Sequence, residues 1–173
     1  MSMPSDIVIA PATSATDLTA AAALMRAYAA SLGIDLGFQG FEDELASLPG
    51  KYAPPTGALL LARSAGKALG CVALRQLDAD GRCEMKRLYV TPEGRGLGLG
   101  RRLAEAVIAE ARHLGYREMC LDTLRSMQRA IALYRSLGFV ETGAYYATPI
   151  AGTVFLRLDL GRRVPAPSAF CCQ

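Results

Sequence analysis

The 173-residue chain predicts a mixed α/β (α+β) domain: a twisted sheet, mainly antiparallel with one central parallel strand pair, flanked by about four helices. Three observations predict it. Short apolar runs with period-two patterning are interspersed with longer stretches repeating near 3.6 residues. Gly66-Lys67 and Asp80-Gly81 carry hairpin-turn chemistry between such runs. A complete helical stretch separates the strand at 82–90 from the one at 117–123, so the two are expected to run parallel, joined by a right-handed crossover.

The elements follow in order. Ile7 to Ala10 reads as a first strand, and Asp17 to Leu32 as an Ala-rich helix capped by Thr16 or starting one turn later, ended by Gly33 and Gly37. Phe41 to Leu48 suggests a second short helix. Pro49-Gly50 and Pro54-Pro55 mark a loop, then Ala58 to Arg63 and Ala68 to Leu77 form a hairpin. Arg82 to Val90 follows, with alternation expected to place Glu84, Lys86, Leu88 and Val90 on one side. Leu99, Leu103, Val107, Ala111 and Leu114 form one stripe of the next helix. Then come the strand Arg117 to Thr123, a helix Gln128 to Leu137 closed by Gly138, and strands Phe139 to Tyr146 and Thr153 to Leu160. Residues 1–160 are expected to be one domain, with 161–173 a mobile tail.

Composition bounds the function. A net charge of +3 and the absence of a Lys/Arg block argue against nucleic-acid or membrane partners. The most apolar helical stretch, Thr19 to Ala30, is short and broken by Arg26, and the N-terminus lacks a signal layout, so a cytoplasmic location is expected. Five cysteines without CxxC spacing suggest reduced, mostly buried thiols, and no metal site is expected. His113, alone of its kind, is expected at the surface.

Arg95-Gly96-Leu97-Gly98-Leu99-Gly100-Arg101 lies between strand and helix, where first-turn amides are unpaired and the helix dipole is positive. Glycines allow close backbone approach, and Arg95, Arg101 and Arg102 offer charge-assisted bonds, so the segment predicts an anion site; a Gly-rich turn without a ligand is the plain alternative. The dinucleotide fingerprint is absent, because Arg101 stands where its third Gly belongs. The triphosphate loop is absent too, because Gly100-Arg101-Arg102 replaces Gly-Lys-Ser/Thr.

The remaining pattern, Arg-x-x-Gly-x-Gly at Arg95, Gly98 and Gly100, resembles that of the GNAT superfamily of acetyl-CoA-dependent N-acetyltransferases. Glu84-Met85-Lys86-Arg87-Leu88-Tyr89-Val90 is similar to that family's fourth strand, and Ala130 to Phe139 to its later helix-to-strand segment. The strong resemblance covers residues 82–140; residues 1–75 are similar in their order of elements. It implies acetyl-CoA as co-substrate, with the pyrophosphate on Arg95, Gly96, Gly98, Leu99, Gly100 and Arg101, and the pantetheine arm beside Leu88 and Val90. It further implies transfer by direct attack of an amine, small-molecule or peptide, with Glu84 as base and Tyr134 as general acid. A base is useful because an alkylamine with a pKa of about 10.4 is mostly protonated at neutral pH.

Each role has a plainer alternative: Glu84 paired with Lys86 or Arg87 on a solvated strand, Tyr134 packed on Phe139. If Glu84 sits among Met85, Leu88 and Cys71, burial is expected to raise its pKa. Met127 stands where many family members carry an Asn that contacts the CoA arm, leaving Ser126 or Gln128 as substitutes. Phe38, Phe41 and Glu42 suggest ordinary helix packing near the acceptor side, Tyr145 and Tyr146 lie toward that side, and Asp122 is expected to pair with Arg117 or Arg125. A homodimer is compatible with the sequence. Two rival functions remain, a non-catalytic acyl-CoA-binding module and a domain for another phosphate ligand.

Overall fold

The structure, a computed structural model, describes residues 6–37 and 40–161. Seven strands form one sheet: β1 (Ile7–Pro11), β2 (Ala58–Ser64), β3 (Lys67–Gln76), β4 (Arg82–Val90), β5 (Glu118–Leu124), β6 (Val140–Thr142) and β7 (Thr153–Asp159), in the order β1-β2-β3-β4-β5-β7-β6. Only β4 and β5 pair in parallel; every other neighbouring pair is antiparallel. Helices α1 (Ala15–Leu32), α2 (Phe41–Ala46), α3 (Leu99–His113) and α4 (Gln128–Ser136) complete the expected mixed fold.

Local chemistry sets the ends. The cap of α1 is Ser14 and not Thr16: the Ser14 hydroxyl accepts from the Asp17 amide at 3.1 Å while the Asp17 carboxylate accepts from the Ser14 amide at 3.3 Å, closing a reciprocal capping box. Helix α2 stops at Ala46, short of Leu48, because a residue preceding proline is disfavoured in helical conformation. Strand β6 is also shorter than expected, and Tyr145 and Tyr146 fall in the following loop, where both pack edge-on against Phe155.

The sheet buries a core on each face. Leu99, Leu103, Val107 and Ala111 of α3 pack with Val72, Leu74, Met85 and Met119 on one face; Leu24 and Met25 of α1 pack with Leu59, Leu61, Cys71 and Ala73 on the other. Each such fully buried large side chain contributes roughly 1.5–3 kcal/mol.

The expected alternation of β4 fails in one instructive place. Arg87 adopts φ 59°, and the register with β3 jumps between Cys71–Tyr89 and Ala73–Lys86, so β4 holds one extra residue there. The bulge reverses the alternation. Met85, Leu88 and Val90 face the α3 core, whereas Tyr89 joins the α1 core and Arg87 turns toward α2. Glu84 and Lys86 therefore do not share a face with Leu88 and Val90, as an unbroken strand would have required.

Candidate active site

The parallel pairing of β4 and β5 spans only Arg82–Glu84 against Glu118–Cys120. Beyond Glu84 and Cys120 the strands part, while their outer edges stay paired with β3 and β7. Two facing strand edges are left with free backbone groups, a place where an extended ligand is held as an added strand.

One mouth of this gap is a cleft of ≈ 540 Å³ in which Leu88 and Val90 of β4 meet Arg95, Gly96, Gly98, Leu99 and Gly100. Seven of the eight expected cofactor residues thus come together. Gly96 and Gly98 take φ of 81° and 70°, the left-handed region that favours glycine, and a Cβ at either would project into open space. The ladder of α3 begins with the Arg102 amide donating to the Gly98 carbonyl, so the amides of Leu99, Gly100 and Arg101 precede it, and no side chain caps the helix. These open donors at the positive end of a 15-residue helix fit a diphosphate. The guanidinium of Arg101, the eighth residue, is turned away to Glu105 and Ser136, leaving its backbone amide as its possible contribution; the side chain of Arg95 is exposed.

Behind the cleft, a smaller cavity of ≈ 60 Å³ passes through the split sheet, and Tyr28, Leu88 and Met127 line both spaces. Tyr134 reaches this cavity from the α4 side. It is 8% exposed, packs edge-on against Phe139 at 5.7 Å, and its hydroxyl has no protein hydrogen bond among the described residues. Burial, reinforced by Tyr28 and Asp122, pushes its pKa well above the ordinary value, so the phenol keeps its proton. Lys86, Arg87 and Asp122 line the same cavity.

Glu84, fully buried, is not in the lining of either space; it is the last β4 residue paired with β5. Its Oε1 lies 3.1 Å from Arg75 Nε and 3.3 Å from Lys86 Nζ. Its Oε2 and the Tyr145 hydroxyl are both buried without a hydrogen bond, although the two groups are near enough to interact. The expected rise in its pKa is overturned. Burial does raise it, but Lys86 and Arg75 outweigh burial and hold it below the usual carboxylate value. Met85, expected beside it, faces the other way by ordinary alternation, and Leu88 does so because of the bulge. Lys86 is depressed by its burial, against the opposing pull of Glu84 and Asp122.

Several expectations change. Asp122 accepts from the Tyr146 hydroxyl at 3.0 Å, while Arg117 bonds the Asp80 carbonyl and Arg125 pairs with Glu141. Met127 lines both spaces, whereas neither Ser126 nor Gln128 is in either lining. Phe41 is buried beneath the Arg87 guanidinium and Glu42 is exposed; Phe38 and residues 162–173, including Cys171 and Cys172, lie outside the described residues. Tyr28 and Arg129 were not singled out by the sequence, and Asp122 and Lys86 only as ion-pair partners, since no local pattern announces that distant segments share a cavity.

Among the described residues no helix is long and apolar enough to cross a membrane, and no group of three or more His, Cys, Asp or Glu is placed to hold a metal. The cysteines at 71, 83 and 120 are free and buried.

Known proteins resemble this chain in sequence and in fold. The model of the acetyltransferase (GNAT) family matches residues 22–139. An uncharacterized N-acetyltransferase of Schizosaccharomyces pombe is 45% identical over 163 residues, covering 94% of this chain and 100% of that protein. One from Dictyostelium discoideum is 33% identical, covering 79% of this chain and 92% of that protein. In fold, a GNAT-family acetyltransferase of Staphylococcus aureus matches with a TM-score of 0.75 at 20% identity, over 90% of this chain and 100% of that one. A Salmonella typhimurium protein solved with its cofactor acetyl-CoA matches with a TM-score of 0.69 at 23% identity, over 95% and 99%. The chain belongs to the GNAT acetyltransferase family and is an acyltransferase enzyme.

Proposed function

We propose that the protein transfers an acetyl group from acetyl-CoA to a primary amine by direct attack. The observation that carries this is the parting of β4 from β5 after Glu84 and Cys120, with the glycine-rich start of α3 at its mouth. Amides of Gly96, Gly98, Leu99, Gly100 and Arg101 would hold the pyrophosphate, assisted by the Arg95 side chain, and the β4 edge at Leu88 and Val90 would hold the pantetheine arm. When bound, acetyl-CoA supplies a thioester carbonyl open to a neutral amine.

In this reading Tyr134 donates its proton to the departing sulfur; its raised pKa keeps it protonated at neutral pH. Glu84 is the base. It is ionised at neutral pH, its Oε2 is free to accept a proton, and Lys86, which touches it, lines the cavity. The apolar walls around Tyr28, Leu88 and Met127 keep water from the thioester. We place the enzyme in the cytoplasm.

The test is an amine panel with acetyl-CoA and detection of released thiol, run beside calorimetry with CoA. Binding with turnover of at least one amine is expected, together with loss of that turnover in Glu84→Gln between pH 6 and 9. Absence of CoA binding by folded protein overturns the whole reading, and full activity of Glu84→Gln removes the base.

A further inference from the structure

The charged lining of the inner cavity bears on the acceptor itself. Lys86 and Asp122 line one cavity, and Asp122 acts electrostatically on Lys86. Asp122 sits on β5 opposite Phe155 and spends one oxygen on Tyr146, which leaves Oδ1 to receive another donor. The Lys86 ammonium has three donors and, among the described residues, one ion-pair partner, Glu84 Oε1, which it shares with Arg75.

The Arg87 counterion is shared as well: Glu44 accepts from Arg87 at 2.8 Å and pairs with Lys51 at 2.9 Å. Of the charged groups, Lys86, Arg87 and Asp122 line the cavity itself, an excess of one positive charge at its wall, with Glu84, Arg75, Glu44 and Lys51 standing behind them. A simple alkylamine in its reactive, neutral form leaves that excess uncompensated. An amine that also carries a carboxylate cancels it in that same form, because its net charge is then −1. Leu32, Ile34, Leu36 and Ile150 give the cavity an apolar wall, and the cavity is far smaller than the cofactor cleft (≈ 60 against ≈ 540 Å³), which favours a small molecule over a polypeptide side chain.

We infer that the acceptor is a small α-amino acid with an apolar side chain, its neutral amino group donating to Asp122 and its carboxylate docking at Lys86. The inference rests on the N-acetyltransferase reading above and narrows it. Asp122 and Lys86 orient the acceptor, and the proton lost on acetylation leaves by Glu84. In the balanced reaction the neutral amine nitrogen bonds to the acetyl carbon, the carbon–sulfur bond breaks, Tyr134 protonates the sulfur, and the nitrogen proton taken by Glu84 balances the proton that restores the Tyr134 phenol.

The test uses alanine, valine and leucine, each offered as the amino acid, its amide and the matching decarboxylated amine. The amino acid is expected to exceed the other two in kcat/KM by about tenfold or more in at least one set, the worth of a charge-assisted contact. Lys86→Met is expected to raise KM for the amino acid by about tenfold and to narrow its advantage over the amide. Asp122→Asn is expected to raise KM more than it lowers kcat, with the acetyl-CoA Kd unchanged in both variants. Equal use of acid, amide and amine in every set overturns the inference, and needs no variant to fold. Acetylation of other amines but of none of these sets also overturns it while leaving the enzyme an N-acetyltransferase; failure to bind acetyl-CoA at all fells both.

Discussion

Arg87 Nε lies 2.8 Å from Glu44 Oε2 and its Nη2 lies 3.3 Å from Oε1, a two-point ion pair with both side chains under 5% exposed. It ties the bulge of β4 to α2, and Tyr52 donates to the same carboxylate at 2.7 Å.

Glu44→Gln strips Arg87 of its charge partner in a buried setting and is expected to cost about 3–5 kcal/mol in urea denaturation at pH 7. The pair also predicts an acid limb. Burial raises the Glu44 pKa, but Arg87, Lys51 and Tyr52 outweigh burial and bring it from 4.5 to about 2. The carboxylate therefore stabilises the fold in full above about pH 4.5, and that contribution, about 3 kcal/mol, is lost as the pH falls toward 2. Denaturation curves from pH 6 to 2.5 are expected to show this loss in the native protein and a flatter profile in Glu44→Gln.

Gly98→Ala forces a left-handed conformation on a residue with a Cβ, at about 1–2 kcal/mol. The new methyl group points into open space at the mouth of the cofactor cleft. Calorimetry is expected to show CoA affinity falling by about tenfold or more, beyond what the modest drop in melting temperature accounts for. Unchanged affinity removes this amide from the proposed diphosphate cradle.

Tyr134→Phe separates packing from chemistry. The ring keeps its edge-on contact with Phe139, and the hydroxyl has no protein partner to lose. Stability and acetyl-CoA affinity are expected to hold while kcat falls by about 100-fold, the scale of lost general-acid catalysis. A variant with native kcat excludes the phenol as acid.

Leu103→Ala tests the packing under the cleft. Leu103 is fully buried, and a Cβ added at Gly70 would lie 2.8 Å from its Cδ1, so the neighbouring strand has closed tightly around it. Truncation is expected to cost about 2–5 kcal/mol in equilibrium unfolding, according to how far the site collapses.

The sequence carried some of this and withheld the rest for physical reasons. Gly96, Gly98 and the stripe from Leu99 to Ala111 were legible because turn geometry and helical period act within one segment. The parallel pair followed from the intervening helix. The bulge did not: Arg87 is chemically an ordinary strand-compatible residue, and only pairing with β3 exposes the extra position that turns Leu88 away from Lys86. The contact of Glu84 with Lys86 was legible as the plainer alternative for that residue, but Arg75, the cation nearest it, comes from another strand. Asp122 was misread because chain proximity pointed to Arg117 and Arg125, whereas its partner, Tyr146, lies 24 residues away.

The three-residue clasp between β4 and β5 has a mechanical consequence. Strands β1 to β4 and strands β5 to β7 are joined edge to edge at one end only, while the α3-side core packs across both. Extending that pairing by a residue pair would narrow the gap through which the inner cavity passes.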